Sequence, residues 1–321
     1  MPTYSRLTRE QRYTIEVMNC NGSSQKEIAE TIGKHPTTVC RELRRVGLRS
    51  VYCHRSAQRE AEQLQRGGKR VDAALLSYAA DRLREEQWSP EQISAIMKRE
   101  GRGSVSHETI YQHIYRDQAM GGDLHAHLRH RIKSYRKRGS GRELRGRLKD
   151  QVMIDQRPKV VDERMRLGDW EMDTVIGRPG GPVLVTMVER FSRYTVIRLA
   201  SSKEALAVSA AIISGLKEHR DKVLTKTYDN GKEFAHHKLV AEILEAEAYF
   251  AHPYHSWERG LNENTNGLIR QYFPKGTDFT TITAAQVAEV EMKLNRRPRQ
   301  CLDYQNPNDI FHSTPPIALA A

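Results

Sequence analysis

Apolar positions recur at helical spacing from the start of the chain. Leu7, Gln11, Ile15 and Met18 share one face of a helix that Asn21-Gly22 ends, and Ser24 with Glu27 three residues on forms a capping box that opens a second. Ile28, Ala29 and Ile32 make the buried stripe of the second helix, Gly33 turns the chain, and Pro36 stands at the first position of a third. Val39, Cys40 and Leu43 face inward on that third helix, which leaves Thr38, Arg41 and Arg45 outward, with Thr37 near its start. Helix, glycine turn, helix at this spacing predicts a helix-turn-helix, whose hydroxyls and guanidiniums can reach base edges in a major groove. A plain three-helix bundle is the competing reading.

A similar pattern follows after an alanine-rich helical stretch over residues 56–86. Ser89-Pro90-Glu91 starts a helix carrying Ile93, Ile96 and Met97, Gly101-Arg102-Gly103 interrupts, and Ser106 caps a helix with Ile110, Tyr111 and Ile114. This reads as a second helix-turn-helix, with His107 at its start as a further DNA-contacting candidate.

Beyond Pro158 the pattern alternates between strands and helices. Trp170 to Ile176 alternates faces, Gly177 to Pro182 is a turn, and Val183 to Val188 and Tyr194 to Leu199 complete a three-stranded meander. Gly180-Gly181 lacks the Lys-Ser/Thr and the helix that a phosphate loop needs, so it reads as a hairpin turn. A helix over residues 205–216, a strand ending at Asp229, a helix over 237–245, a strand over 248–251 and a helix carrying Glu263 follow. That order predicts a ribonuclease-H-like α/β domain. It puts Asp173 mid-strand, Asp229 at a strand end and Glu263 on the late helix, with 33 residues between Asp229 and Glu263. Three carboxylates at one sheet edge suit two divalent ions about 4 Å apart, one activating the nucleophile and one the leaving oxygen, and hard oxygen ligands select Mg²⁺ or Mn²⁺. Taken singly, Asp229-Asn230-Gly231 is an ordinary turn and Glu263 a solvated helix residue, with Glu171 and Glu233 as competing acids.

Charge sharpens this picture. The 321 residues carry 52 Lys+Arg and 40 Asp+Glu, a net charge of +12, and all of the excess lies in residues 1–150. Its densest part, Arg129 to Lys149, holds ten Lys/Arg, including Arg136, Lys137 and Arg138, against Glu143 alone, with Gly139, Gly141 and Gly146 interspersed. A solvated charge run is one reading; a basic flexible linker touching phosphates is the reading its neighbours favour. Four scattered cysteines without a C-x-x-C pair argue against a zinc ribbon or disulfide framework. No 18-residue apolar run or apolar leader is present, so a cytoplasmic, nucleoid-associated protein is expected.

The stretches Trp170 to Gly177 (WEMDTVIG), Asp229 to Phe234 (DNGKEF) and Ser256 to Gly276 (SWERGLNENTNGLIRQYFPKG), with SPEQI from Ser89 and SHETIY from Ser106, resemble the DDE transposases of the insertion-sequence-thirty family over nearly the whole chain. The resemblance implies a catalytic triad on Asp173, Asp229 and Glu263, metal-dependent cleavage freeing 3′ hydroxyls, strand transfer, and a homo-oligomer pairing two ends of double-stranded DNA. Two departures stand out. Asp169 replaces a histidine, which would add charge near the metals, and His35 replaces a serine before the proline of the third helix, which would weaken its cap by about 1 kcal/mol. His252 and His255, with His236 and His237, allow a transition-metal reading, although a DNA-touching loop fits their place before Trp257 better. Asn262, Asn264 and Asn266 either orient Glu263 or contact DNA.

The expected architecture is therefore multidomain, with an all-α helix-turn-helix DNA-binding N-terminal half and an α/β ribonuclease-H-like catalytic domain. Its parts are residues 1–55 as the first DNA-binding domain, 56–128 as a second helical unit, 129–157 as the basic linker and 158–321 as the catalytic domain. The expected function is transposition through the element's terminal inverted repeats. A domesticated, non-catalytic helix-turn-helix regulator is the alternative, and a nuclease or junction resolvase without strand transfer a third.

Overall fold

A computed structural model describes residues 6–45, 52–66, 71–129, 150–253 and 255–313. The chain divides into two compact units, Met1–Val71 and Asp72–Ala321. Among the described residues, no helix is long and apolar enough to cross a membrane.

The first unit contains α1 (Arg9–Cys20), α2 (Gln25–Thr31), α3 (Pro36–Arg45) and α4 (His54–Arg66). Capping boxes at Thr8 with Gln11 and at Ser24 with Glu27 satisfy backbone donors at the starts of α1 and α2. Ile15, Ile28, Ala29, Val39, Leu43 and Ala57 form its core. Inside that core Arg12 pairs with Glu42 at 2.7 Å and also donates to the Leu7 carbonyl and the Gln58 amide oxygen, so one guanidinium fastens α1 to α3 and α4. The helical stretch 56–86 is thus two helices: α4 completes the first unit, and α5 (Ala73–Glu85) belongs to the second.

The second unit continues with α6 (Pro90–Arg99) and α7 (His107–Ala119), then α8 (Val160–Glu163) and the sheet. Ser89 and Gln92 cap α6, with Pro90 in its first turn. Gln92 also donates to the Pro298 carbonyl and accepts from Arg297, and Gln271 donates to the His127 carbonyl, so the α5–α7 layer is docked on the C-terminal helices. The strands are β1 (Asp169–Ile176), β2 (Val183–Glu189), β3 (Thr195–Ala200), β4 (Thr225–Tyr228) and β5 (Glu247–Phe250). Their order is β3-β2-β1-β4-β5; β1, β2 and β3 are antiparallel neighbours, while β4 is parallel to β1 and to β5. That is the ribonuclease-H-like arrangement expected from the sequence. Helices α9 (Ala205–Leu216) and α10 (His237–Leu244) cover one face, and α11 (Gly260–Tyr272) and α12 (Ala284–Arg296) the other. Residues 150–157, grouped above with the basic linker, lie along the sheet edge: Met153 bridges Phe250, and Arg157 donates to Thr227. The C-terminal α13 (Pro307–Ser313) inserts Phe311 beside Trp170.

Lys226 on β4 is fully buried, its Nζ donating to the Ala246 carbonyl at 2.6 Å, and burial lowers its pKa from 10.5 to about 7. Below pH 7 both folded and unfolded chains hold the proton, so the folded state bears the full cost of a buried ammonium. Between pH 7 and 10.5 only the unfolded chain keeps it, and stability rises with pH. Lys226→Met is therefore expected to raise the melting temperature at pH 6 by a few degrees and to flatten the rise toward pH 9. Thermal melts across that range check it, and an equally steep rise in the variant would assign the pH dependence elsewhere.

Candidate active site

Asp173 lies on β1, and Asp229 follows the last residue of β4. Glu171 pairs in parallel register with Thr227; two residues further on, Asp173 falls beside Asp229 on the same face, because side chains repeat every second residue. That face meets α11. Arg259, just before α11, places one guanidinium nitrogen 3.1 Å from Asp173 Oδ1 and another 3.2 Å from Asp229 Oδ2, and donates to the Met172 carbonyl. Burial works to lower the Arg259 pKa, but the charges of Asp173 and Asp229 outweigh it and the pKa is raised.

The remaining carboxylate oxygens are also held. Asn266 donates to Asp173 Oδ2 at 2.7 Å, the Thr174 amide to Asp173 Oδ1, and the Gly231 amide to Asp229 Oδ1 at 2.8 Å. A Cβ at Gly231 would come within 2.8 Å of the carboxylates of Asp229 and Glu233, so any larger residue there would have to displace them. Along α11, Arg259, Asn262, Asn266 and Arg270 reach β1, with Asn262 donating to the Met172 carbonyl and Arg270 to the Ile176 carbonyl. Glu263 lies one turn after Arg259 and one before Asn266, on that same helix face. Its carboxylate is exposed and has no hydrogen bond or ion pair among the described residues. The structure thus brings Asp173 and Asp229 together and puts Glu263 beside them without contact. The donor set suits a hard divalent cation: it is all oxygen, and the buried amide oxygens of Asn262 and Asn266 lack partners among the described residues.

The competing acids have other duties. Glu171 is fully buried against Arg190. Glu233 is buried, accepting from the Thr174 hydroxyl at 3.2 Å and pairing with Lys203 at 3.0 Å. His252, His255 and Glu258 have ligand atoms all within 4.8 Å of one another, yet His252 is already engaged by Glu258 at 3.0 Å and Asp155 at 2.8 Å. His237 is apart from them, buried against the Phe234 carbonyl.

Both departures noted in the sequence read differently in three dimensions. Asp169 adds no free charge near the carboxylates, because it is buried at the opposite end of β1, paired with Arg166 and accepting from Thr225. His35 does not leave α3 uncapped, because its Nδ1 accepts from the Thr37 amide at 3.3 Å. On α3, Thr37 and Arg41 are exposed and Thr38 is partly buried; the side chain of Arg45 lies outside the described residues. His107 is exposed in the first turn of α7. Arg136, Lys137 and Arg138 fall outside the described residues. Sequence reasoning missed Arg259, whose signal was its four-residue spacing to Glu263, and Arg129, which donates to Asn264 at 3.0 Å rather than standing in a linker.

A helix-turn-helix domain model matches residues 3–46. The transposase for insertion sequence element IS4351 of Bacteroides fragilis is 44% identical over 95% of this chain and 95% of its own length. The transposase of IS1086 from Cupriavidus metallidurans is 34% identical over 96% and 94%, and transposase InsI of IS30C from Escherichia coli 32% identical over 95% and 83%. Among solved structures, the catalytic core domain of BIV integrase aligns at 20% identity and TM-score 0.35 over 45% of this chain and 93% of that one. With relatives of this identity matching along nearly its whole length, the chain belongs to the insertion-sequence transposases of the IS30 family.

Proposed function

We propose that this chain mobilises its insertion element by divalent-metal-dependent cleavage and strand transfer of DNA at Asp173, Asp229 and Glu263. The observation that carries the reading is the convergence of Asp173 and Asp229 on one cation, Arg259, beneath the helix face that also bears Glu263. Mg²⁺ or Mn²⁺ held by these carboxylates would polarise the scissile phosphate and lower the pKa of the attacking water or 3′ hydroxyl. The chain's own part is orientation. Asn266 and the Gly231 amide fix one oxygen of each aspartate, leaving the others turned toward a common point. Cutting both ends of one element calls for two active sites, so we further propose a homo-oligomer on double-stranded DNA.

The test is incubation of purified protein with a plasmid carrying the two terminal inverted repeats. Cleaved or joined ends should appear with Mg²⁺ and vanish with EDTA. Binding without cleavage in any divalent ion would favour the non-catalytic regulator instead.

Recognition of the ends is assigned to α3. Arg41 is exposed there on a rigid helix, where a guanidinium can contact guanine bidentately. Arg41→Ala is expected to cost about 1–3 kcal/mol on the cognate end and little on random duplex. Anisotropy titrations of both duplexes check it; equal losses on both would remove α3 from base reading.

A further inference from the structure

On the face of α11 turned away from the aspartates lies a pocket of about 290 Å³, lined by Arg164, Arg193 and Arg299 together with Gly260 and Asn264 from the start of the helix. Among the described residues, no acidic residue lines it. None of the three arginines has an ion pair among the described residues, and Nε and one terminal nitrogen of Arg193, with Nε of Arg299, are buried without an acceptor. Guanidinium donors withdrawn from water and left unpaired are costly, so three at one pocket mark a place where an anion belongs. The 13-residue α11 starts at this pocket with no side-chain cap, which adds the positive end of its dipole. Arg129, donating to Asn264, extends the positive surface.

We propose that this pocket binds a phosphodiester of the DNA strand passing the active site. The proposal rests on the transposase reading above and adds a path for the backbone. Leu261 and Thr265, which also line the pocket, fall two positions after Arg259 and Glu263, about 200° around the helix, so the pocket and the carboxylates sit across a helix about 10 Å wide. That separation corresponds to roughly three nucleotides along a duplex axis. The phosphate held here therefore flanks the one under attack, and the three arginines set how far the strand advances over the aspartates.

The test uses the full chain with Arg164→Gln and Arg193→Gln combined, and Arg164→Lys with Arg193→Lys as the charge-retaining control. Binding of a random-sequence duplex is measured across a salt series. Loss of this one phosphate contact should reduce the slope of log K against log salt by about 0.9 and weaken binding several-fold at moderate salt, with the lysine pair restoring both. An unchanged slope, in a glutamine pair that melts like the parent, overturns the proposal. Inorganic phosphate is titrated in parallel, and protection of the pocket by phosphate with no change in duplex binding would overturn the DNA assignment in favour of a small-anion site. Failure of the transposase reading is distinguishable, because it would appear as absent cleavage in the parent protein.

Discussion

Asp173→Asn and Asp229→Asn should each lower DNA cleavage by at least roughly 10²–10³-fold while leaving affinity for the inverted repeats unchanged. Loss of a group that stabilises charge mainly in the transition state costs about that much. The amide keeps the side chain's size and one acceptor oxygen for the Asn266 or Gly231 donor, while its NH2 turned toward Arg259 gives up that contact along with the charge. Glu263→Gln should match the aspartate variants under the proposed triad, although the glutamate touches neither of them in the structure. Glu233→Gln should instead lower the melting temperature, since it weakens the pair with Lys203. Single-turnover nicking of a labelled end, with a gel shift alongside, separates the two behaviours. Normal cleavage by Glu263→Gln would displace it as the third carboxylate.

Trp170→Ala is the second large expected effect, of about 3–5 kcal/mol against a typical domain stability of 5–15 kcal/mol. Trp170 is fully buried, donates its indole N–H to the Lys222 carbonyl at 2.7 Å, and packs edge-on against Phe311. Its removal opens a cavity between β1 and α13 and leaves a carbonyl without its donor. Denaturant unfolding monitored by circular dichroism should show the midpoint falling steeply. A shift corresponding to under 1 kcal/mol would mean that α13 does not close this core.

The strand and helix order of the second unit was readable because its signals are local: alternation in β1, the Asn230-Gly231 turn, the Ser89 and Ser106 caps. The two aspartates could be placed for the same reason, since register follows from topology once β1 and β4 are recognised as parallel neighbours. What escaped was non-local. Arg12 and Glu42, 30 residues apart, pair inside the first core, a contact that helical spacing does not announce. Asp169 looked like extra negative charge until Arg166 and Thr225 were seen to take it up. Arg259 joins two acids distant in sequence, and the docking of α6 through Gln92 on Pro298 and Arg297 spans more than 200 residues. Periodicity reports which face is buried and says nothing of which charged partner waits there.

The most direct test of the account is anomalous diffraction from crystals of the protein bound to an inverted-repeat duplex and soaked in Mn²⁺. Anomalous density is expected between Asp173, Asp229 and Glu263, with the Arg259 guanidinium moved off the two aspartates. Density confined to His252, His255 and Glu258, or centred on Glu233, would contradict the assignment of the active site.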